Sequence, residues 1–128
     1  MIKTNWRDIK PTIVHDAGID WQLLKGQSLT NTNNPLACMK GMMYVARALL
    51  QPGLAYHPHA HDDHEEVYYI IKGKGEIRID DEINEIKEGD IIYIAVNQVH
   101  EIINSGENMI EFIAFAAEVK KEDDGKCE

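Results

Sequence analysis

Apolar and polar residues alternate along most of the chain between residues 39 and 117. Because successive side chains of a β-strand point to opposite faces, this alternation is typical of strands with one buried face. Pro, Gly, Asn and Asp separate the alternating segments, as they do in turns. The predicted strands cover 39–50, 67–71, 76–80, 83–87, 90–94, 99–104 and 109–117. So many short strands, with no segment that favours a long helix, predict an all-β sandwich or barrel.

The length predicts one folded domain with additions at both ends. A chain of 128 residues and 14.6 kDa is long enough to bury a hydrophobic core without disulfides or structural metals. We expect a barrel over residues 39–118, preceded by an extension over residues 1–38 that packs on the barrel or is swapped onto a partner. Residues 30–35 have the composition of a loop, and residues 119–128 that of a charged, flexible tail.

The charge and the cysteines exclude several classes of protein. The chain has 13 Lys and Arg against 22 Asp and Glu, and a net charge of −9, so we expect no nucleic-acid partner. The apolar runs are too short to cross a bilayer and contain Arg47 and Glu111, so we expect no membrane partner. The N-terminus lacks a signal-peptide pattern, which predicts a cytoplasmic location. Cys38 and Cys127 lie far apart and do not indicate a disulfide framework.

Histidine is concentrated in one short stretch. Of the six histidines, four lie between residues 57 and 64, His100 follows later, and His15 stands apart, which predicts a surface position for it. His59 and His61 are alternate residues, so both can point into the barrel. His57 shares their parity and is either a spare ligand or a group that supports the ligands.

A carboxylate and a distant histidine complete the predicted site. Glu66 shares a strand face with Tyr68 and Ile70, and His100, together with Ile102 and Asn104, would line the same cavity from a later strand. Three imidazoles and one carboxylate suit one divalent transition metal, either Fe, Mn, Ni, Co or Zn. Ligand type does not choose among these metals.

Two spacings in this region resemble the motifs of a known family. The first motif is carried by Gly53, His59, His61, Glu66 and Gly73, and the second by Gly89, His100 and Asn104. Ala95 and Asn97 replace the usual Pro and Gly of the second motif, and Asn97 can adopt the left-handed conformation of that Gly. The sequence is therefore similar to small single-domain cupins. The resemblance implies an antiparallel double-stranded β-helix, or jelly roll, whose metal is held by His59, His61, Glu66 and His100.

Other residues near these motifs are candidates for further roles. Glu65 competes with Glu66 as the ligand, but the interval to Gly73 and the shared face with Tyr68 favour Glu66. Tyr56 and His57 are the nearest candidates for a catalytic acid or base. The candidates for substrate binding are Arg47, Tyr68 and Phe112. Arg47 either clamps a substrate anion or faces outward and pairs with an acidic neighbour. The aromatic residues, Tyr44 included, either line the pocket or pack the core.

The resemblance leaves two classes of function open. The first is a metal-dependent enzyme, of the dioxygenase (oxidoreductase), decarboxylase or isomerase type, that acts on a small oxygen-rich or anionic molecule. The second is a non-catalytic protein that binds a metal and a small ligand, as a sensor or accessory protein. Small cupins commonly pair through an edge strand, which predicts a homodimer.

Overall fold

The structure is a computed structural model that describes residues 1–27 and 33–120. A short 3-10 helix, Trp6–Asp8, precedes ten strands. The strands are β1 (Thr12–Val14), β2 (Gly18–Gly26), β3 (Ala37–Met39), β4 (Met42–Leu50), β5 (His64–Lys72), β6 (Lys74–Ile79), β7 (Glu82–Lys87), β8 (Ile91–Ile94), β9 (His100–Ile103) and β10 (Ile110–Glu118). No helix in the described part of the chain is both long and apolar enough to span a membrane.

The strands form two sheets. The larger sheet has the order β1-β2-β4-β10-β5-β8, with β3 added beside β2, and the smaller sheet has the order β7-β6-β9. The neighbours pair antiparallel except β2 and β3, whose short pairing is parallel. Buried residues of both sheets form one core cluster between them. The predicted all-β jelly roll is confirmed.

The core is filled unevenly along the barrel. At one end the paired strands β4 and β10 contribute the large side chains Leu50, Ile110 and Phe112, all buried. Next to these, the same face carries four alanines before Tyr44: Ala46, Ala48, Ala114 and Ala116. Since a methyl group fills much less space than a leucine or phenylalanine side chain, these positions leave room for a cavity on the inner face of the large sheet.

Two strands, β1 and β2, lie wholly before residue 39, in a segment for which the alternation predicted none. β2 pairs with β4 over most of its length and therefore belongs to the large sheet. Its inward positions include Asp20 and Gln22, while its outward-facing Trp21 is also buried. Polar residues therefore occupy the inner face of β2 and an apolar residue the outer face, which is the opposite of the pattern from which strands were predicted.

Other boundaries differ in detail. The predicted strand over 39–50 is two strands, because a bend at Lys40 and Gly41 separates β3 from β4. Part of the predicted loop at 30–35, most of the predicted tail at 119–128, and Cys127 lie outside the described residues. Cys38 is half-buried and forms no disulfide with any residue in the described ranges.

Candidate metal centre

Two histidines are brought together by backbone pairing. His59 lies in the segment before β5 and forms an isolated antiparallel bridge with His100 at the start of β9. The amide of His59 donates to the carbonyl of His100 at 3.2 Å, and the reverse bond is 2.9 Å long. Since directly paired residues point to the same face, the two rings lie side by side, with their centroids 4.2 Å apart.

The third histidine and the carboxylate approach from neighbouring segments. His61 follows His59 on the same face, and its carbonyl accepts a 2.7 Å hydrogen bond from the amide of Asn97. Glu66, on the inner face of β5, places Oε1 3.3 Å from Nε2 of His61 and 3.5 Å from Nε2 of His100. One donor atom from each of these four residues lies within 4.8 Å of the others.

A turn within the second motif holds the first motif in place. Asn97 has a φ of 64°, the left-handed conformation predicted where this family usually has glycine. In this conformation its amide reaches the carbonyl of His61. The replacement therefore keeps the geometry of the turn.

The protonation state of two rings is set by the backbone. Nδ1 of His59 donates to the carbonyl of His57 at 2.8 Å, and Nδ1 of His100 donates to the carbonyl of Gln98 at 2.9 Å. Because a carbonyl only accepts, the proton of each neutral ring is on Nδ1, and Nε2 presents a lone pair to the site. Nε2 of both rings and Oε1 of Glu66 are buried and have no hydrogen-bond partner among the residues that the structure describes. Buried acceptors that converge in this way fit a bound cation.

Tyr44 fixes the orientation of the carboxylate. Its hydroxyl, from β4, donates a hydrogen bond to Oε2 of Glu66, which leaves Oε1 directed at the imidazoles. Burial would raise the pKa of Glu66, but the contacts with His100, His61 and Tyr44 outweigh it and lower the pKa. Burial also raises the pKa of the Tyr44 phenol, which keeps it a donor. The sequence indicated Tyr44 only as a possible lining residue, because its partner is 22 positions away.

Burial also affects the protonation of His59. Desolvation lowers its pKa from 6.5 to about 4, against the smaller opposing effect of the hydrogen bond to the His57 carbonyl. The ring is therefore neutral at neutral pH, as a metal ligand must be. The four residues together fit one divalent transition metal of the kind expected from their ligand types.

A small cavity adjoins Glu66, one of the four candidate ligands. Its volume is about 130 Å³ and it reaches Glu66, with Tyr68, Phe112 and Tyr56 in its walls. All three aromatic residues are buried and also belong to the core cluster, so they both line the pocket and pack the core. Burial raises the pKa of the Tyr56 phenol, which makes it a hydrogen-bond donor rather than a base. A larger groove of about 550 Å³ elsewhere on the molecule is lined by none of the four ligands.

The polar residues of the cavity that were not predicted from the sequence are Asp20, Gln22 and His15. Asp20 and Gln22 lie on the inner face of β2, and His15 lies in the turn between β1 and β2. The prediction of a surface position for His15 was wrong, because its ring stacks on His59 with centroids 3.8 Å apart. Burial raises the pKa of Asp20, against the smaller effect of a 2.9 Å hydrogen bond from Gln22.

The structure places two predicted site residues away from the cavity. Arg47 lies on the outer face of β4, between the rings of Trp6 and Trp21, and its Nε is 2.8 Å from Glu111. This position is away from the cavity and fits the outward-facing interpretation of Arg47 rather than the substrate-binding one. The imidazole of His57 is exposed, 3.9 Å from a carboxylate oxygen of Asp16, and does not line the cavity. Its carbonyl supports the site by accepting the hydrogen bond from His59, and its role as a catalytic acid or base stays a prediction.

Three other residues near the motifs have contacts of their own. Glu65 lies on the opposite face of β5 from Glu66 and accepts a 2.7 Å bond from the hydroxyl of Tyr93. His64 is buried against His61 and is bonded through Nδ1 to Asp63 at 2.6 Å. Asn104, expected in the cavity, instead donates to the carbonyls of Leu50 and Asn108 and so closes a turn.

Solved structures share the fold. A predicted oxalate decarboxylase from Thermotoga maritima has a TM-score of 0.76 and 23% identity, and the alignment covers 92% of this chain and all of that one. The polyketide cyclase RemF from Streptomyces resistomycificus has a TM-score of 0.70 and 17% identity, over 97% of this chain and 89% of that one. Identities this low establish the fold and nothing about the reaction.

Similarity in sequence to known proteins identifies the family of this chain. An uncharacterized protein of Methanocaldococcus jannaschii is 35% identical over 83% of this chain and 78% of its own length. An oxalate-binding protein of Thermotoga maritima is 35% identical over 54% of this chain and 57% of its own length. The family model described as Cupin domain matches residues 46–115, more than half of the sequence and the part that contains all four candidate ligands. The chain therefore belongs to the cupin domain family.

Proposed function

We propose that this cupin is a metal-dependent enzyme that acts on a small, oxygen-rich molecule bound in the cavity beside Glu66. The observation that carries the proposal is the convergence of three buried, unpartnered acceptors, Nε2 of His59, Nε2 of His100 and Oε1 of Glu66. Without a cation these atoms would each cost about 1–3 kcal/mol of desolvation. Such an expensive arrangement is typical of a site that binds a ligand.

Different residues of the chain would have different roles in such a site. His59, His61, Glu66 and His100 would hold the metal, with Tyr44 keeping the carboxylate in position. A divalent transition metal there would supply a Lewis acid for decarboxylation or isomerisation or, as Fe(II), O₂-dependent cleavage of a carbon–carbon bond. The neutral phenol of Tyr56 would donate a hydrogen bond to a substrate oxygen, and Phe112 and Tyr68 would keep water away from it.

The alternative is a cupin that binds a metal and a small ligand without turnover. The relative from Thermotoga maritima that is named as an oxalate-binding protein favours this alternative, since its name records binding only. The two possibilities share the metal site and differ only in whether the bound molecule is converted. The homodimer and the cytoplasmic location remain predictions.

Metal analysis of matched variants tests the proposal. The protein is purified without a His tag or chelator and its metal content is measured, together with that of Glu66→Gln, Glu65→Gln and a His59→Ala/His100→Ala double variant. We expect about one metal ion per chain in the wild type and in Glu65→Gln, whose side chain faces outward. We expect almost none in the other two, with unchanged far-UV circular dichroism, because the core cluster does not include these ligands.

Either of two results would contradict the metal site. The first is a wild-type protein that contains no metal and takes up none on reconstitution, and the second is a double variant that retains its metal. If iron is found, O₂ consumption is the next assay. If manganese, nickel, cobalt or zinc is found, decarboxylation and isomerisation of small oxygen-rich acids and sugars are screened, and no turnover would favour the binding alternative.

A further inference from the structure

The part of the cavity wall that β2 contributes is polar and acidic. β2 contributes Asp20, which is 8% exposed, and Gln22, whose side-chain amide donates to Oδ2 of Asp20 at 2.9 Å. A carboxylate can accept about four hydrogen bonds. With one bond from Gln22, Asp20 retains capacity to accept more from a molecule in the cavity.

Among the described residues that line the cavity, no side chain is positively charged at neutral pH to balance this carboxylate. None of them is Lys or Arg, and burial lowers the pKa of His15, so its ring is neutral. Arg47 is on the outer face of the sheet with Glu111, and Arg78 is half exposed, 3.9 Å from Glu101. The only acidic residues of the lining are Asp20 and Glu66.

The charges of such a site are already balanced before a ligand enters. One divalent cation with two carboxylates is electrically neutral. A dicarboxylate in the same cavity would add two negative charges with no protein cation to pair them, and buried unpaired charge is costly. The net charge of −9 on the whole chain also disfavours the binding of dianions. A neutral molecule that carries hydroxyl groups adds no charge and can donate to Asp20.

We propose that Asp20, oriented by Gln22, makes this cavity selective for small neutral molecules with hydroxyl donors and selective against dicarboxylates. The inference rests on the proposed metal site and narrows its substrate class. The volume of about 130 Å³ corresponds to roughly four water molecules at about 30 Å³ each, so the ligand has only a few non-hydrogen atoms.

Two probes of equal size test the selectivity. Oxalate is a dianion at neutral pH, and dihydroxyacetone is neutral with two hydroxyl groups; both have the same number of non-hydrogen atoms. Their dissociation constants are measured from the visible absorption of the Co(II)-loaded protein, for the wild type and for Asp20→Asn. For each probe, the dissociation constant of the variant is divided by that of the wild type. The intrinsic preference of cobalt for oxalate is the same in both proteins and therefore cancels in this ratio.

We expect Asp20→Asn to bind oxalate about tenfold more tightly and dihydroxyacetone about tenfold more weakly, since it removes one charge and the strong acceptor. Asp81→Asn removes the same charge from an exposed turn and should change neither constant by more than about twofold. Gln22→Glu, which leaves Asp20 in place and adds a charge to the same wall, should weaken oxalate binding. This second variant keeps the test decisive if Asp20→Asn does not fold.

The inference is overturned if cobalt binds normally and Asp20→Asn leaves the ratio of the two constants at its wild-type value. It is also overturned if Gln22→Glu binds oxalate as tightly as the wild type. A wild-type protein that takes up no cobalt would instead refute the proposed metal site, and the inference with it.

Discussion

Tyr44 provides a direct test of how the carboxylate ligand is positioned. Its hydroxyl, on the same inner face of the large sheet, donates to Oε2 of Glu66 across β10. Tyr44→Phe removes this one oxygen and keeps the ring in the wall of the cavity. The carboxylate would then lose the bond that holds Oε1 toward His61 and His100. Its pKa would also rise, so that protons compete better with the metal.

The expected loss can be estimated in two ways. Removing a partner of a metal ligand typically costs about 10- to 100-fold in metal affinity. This corresponds to roughly 1.4–2.8 kcal/mol, since each factor of ten is about 1.4 kcal/mol. A hydrogen bond to a charged group contributes about 1.5–3 kcal/mol. Because the two estimates agree, we expect Tyr44→Phe to weaken Zn(II) binding about 10- to 100-fold.

The chain contains a matched control at Glu65, which lies on β5 next to Glu66. Tyr93 donates to Glu65 at 2.7 Å, which is the same pair of residue types on the outer face of β5. Tyr93→Phe should leave the affinity for Zn(II) unchanged. The assay is competition for Zn(II) with a chromophoric chelator at pH 7. The reasoning would be refuted if Tyr44→Phe stayed within about twofold of the wild type, or if Tyr93→Phe lost as much affinity.

Two further predictions concern stability. Gly73 and Gly89 both have a φ of 93°, but a Cβ at Gly73 would lie 2.4 Å from the carbonyl oxygen of Met109, whereas one at Gly89 would meet nothing within 4 Å. We expect Gly89→Ala to lower the free energy of unfolding, measured in urea, by about 1–2 kcal/mol. Gly73→Ala should lower it by roughly 2 kcal/mol more. Equal losses in the two variants would contradict the close approach at Gly73. For the metal-free protein, burial depresses the pKa of His59 from 6.5 in the unfolded chain to about 4 in the folded chain. The contribution of the neutral ring to the free energy of unfolding is therefore complete above pH 6.5 and is lost as the pH falls toward 4. The urea midpoint should fall across this window less steeply in His59→Gln than in the wild type, and His57→Gln, which alters an exposed ring, should match the wild type.

The four candidate ligands could be predicted to lie together because the features that bring them together are mostly local in sequence. His59 and His61 face the same way by strand alternation alone, and the spacing to Glu66 and Gly73 repeats a family motif. Asn97 was predicted to adopt the left-handed conformation and has a φ of 64°. These features depend on the backbone of one or two segments, which the order of residues largely determines.

The cavity wall could not be predicted in the same way. β2 carries Asp20 and Gln22 on its inner face, so its alternation of polar and apolar residues is the opposite of that expected for a strand that packs on a core. His15 gave no signal either, because its position over His59 depends on the turn between β1 and β2. Arg47 was ambiguous because strand parity alone does not say which face of β4 is inward.

By itself, the sequence determined the all-β fold, the four candidate ligands and the choice of Glu66 over Glu65, since all of these follow from period-two alternation and short spacings. Only the tertiary structure decided what surrounds the ligands. It paired β2 with β4, which brought Asp20 to the cavity, and it placed Arg47 between Trp6 and Trp21 on the outer face. The physical reason is that a strand pattern specifies which side chains share a face, whereas the pairing of distant strands specifies what that face meets.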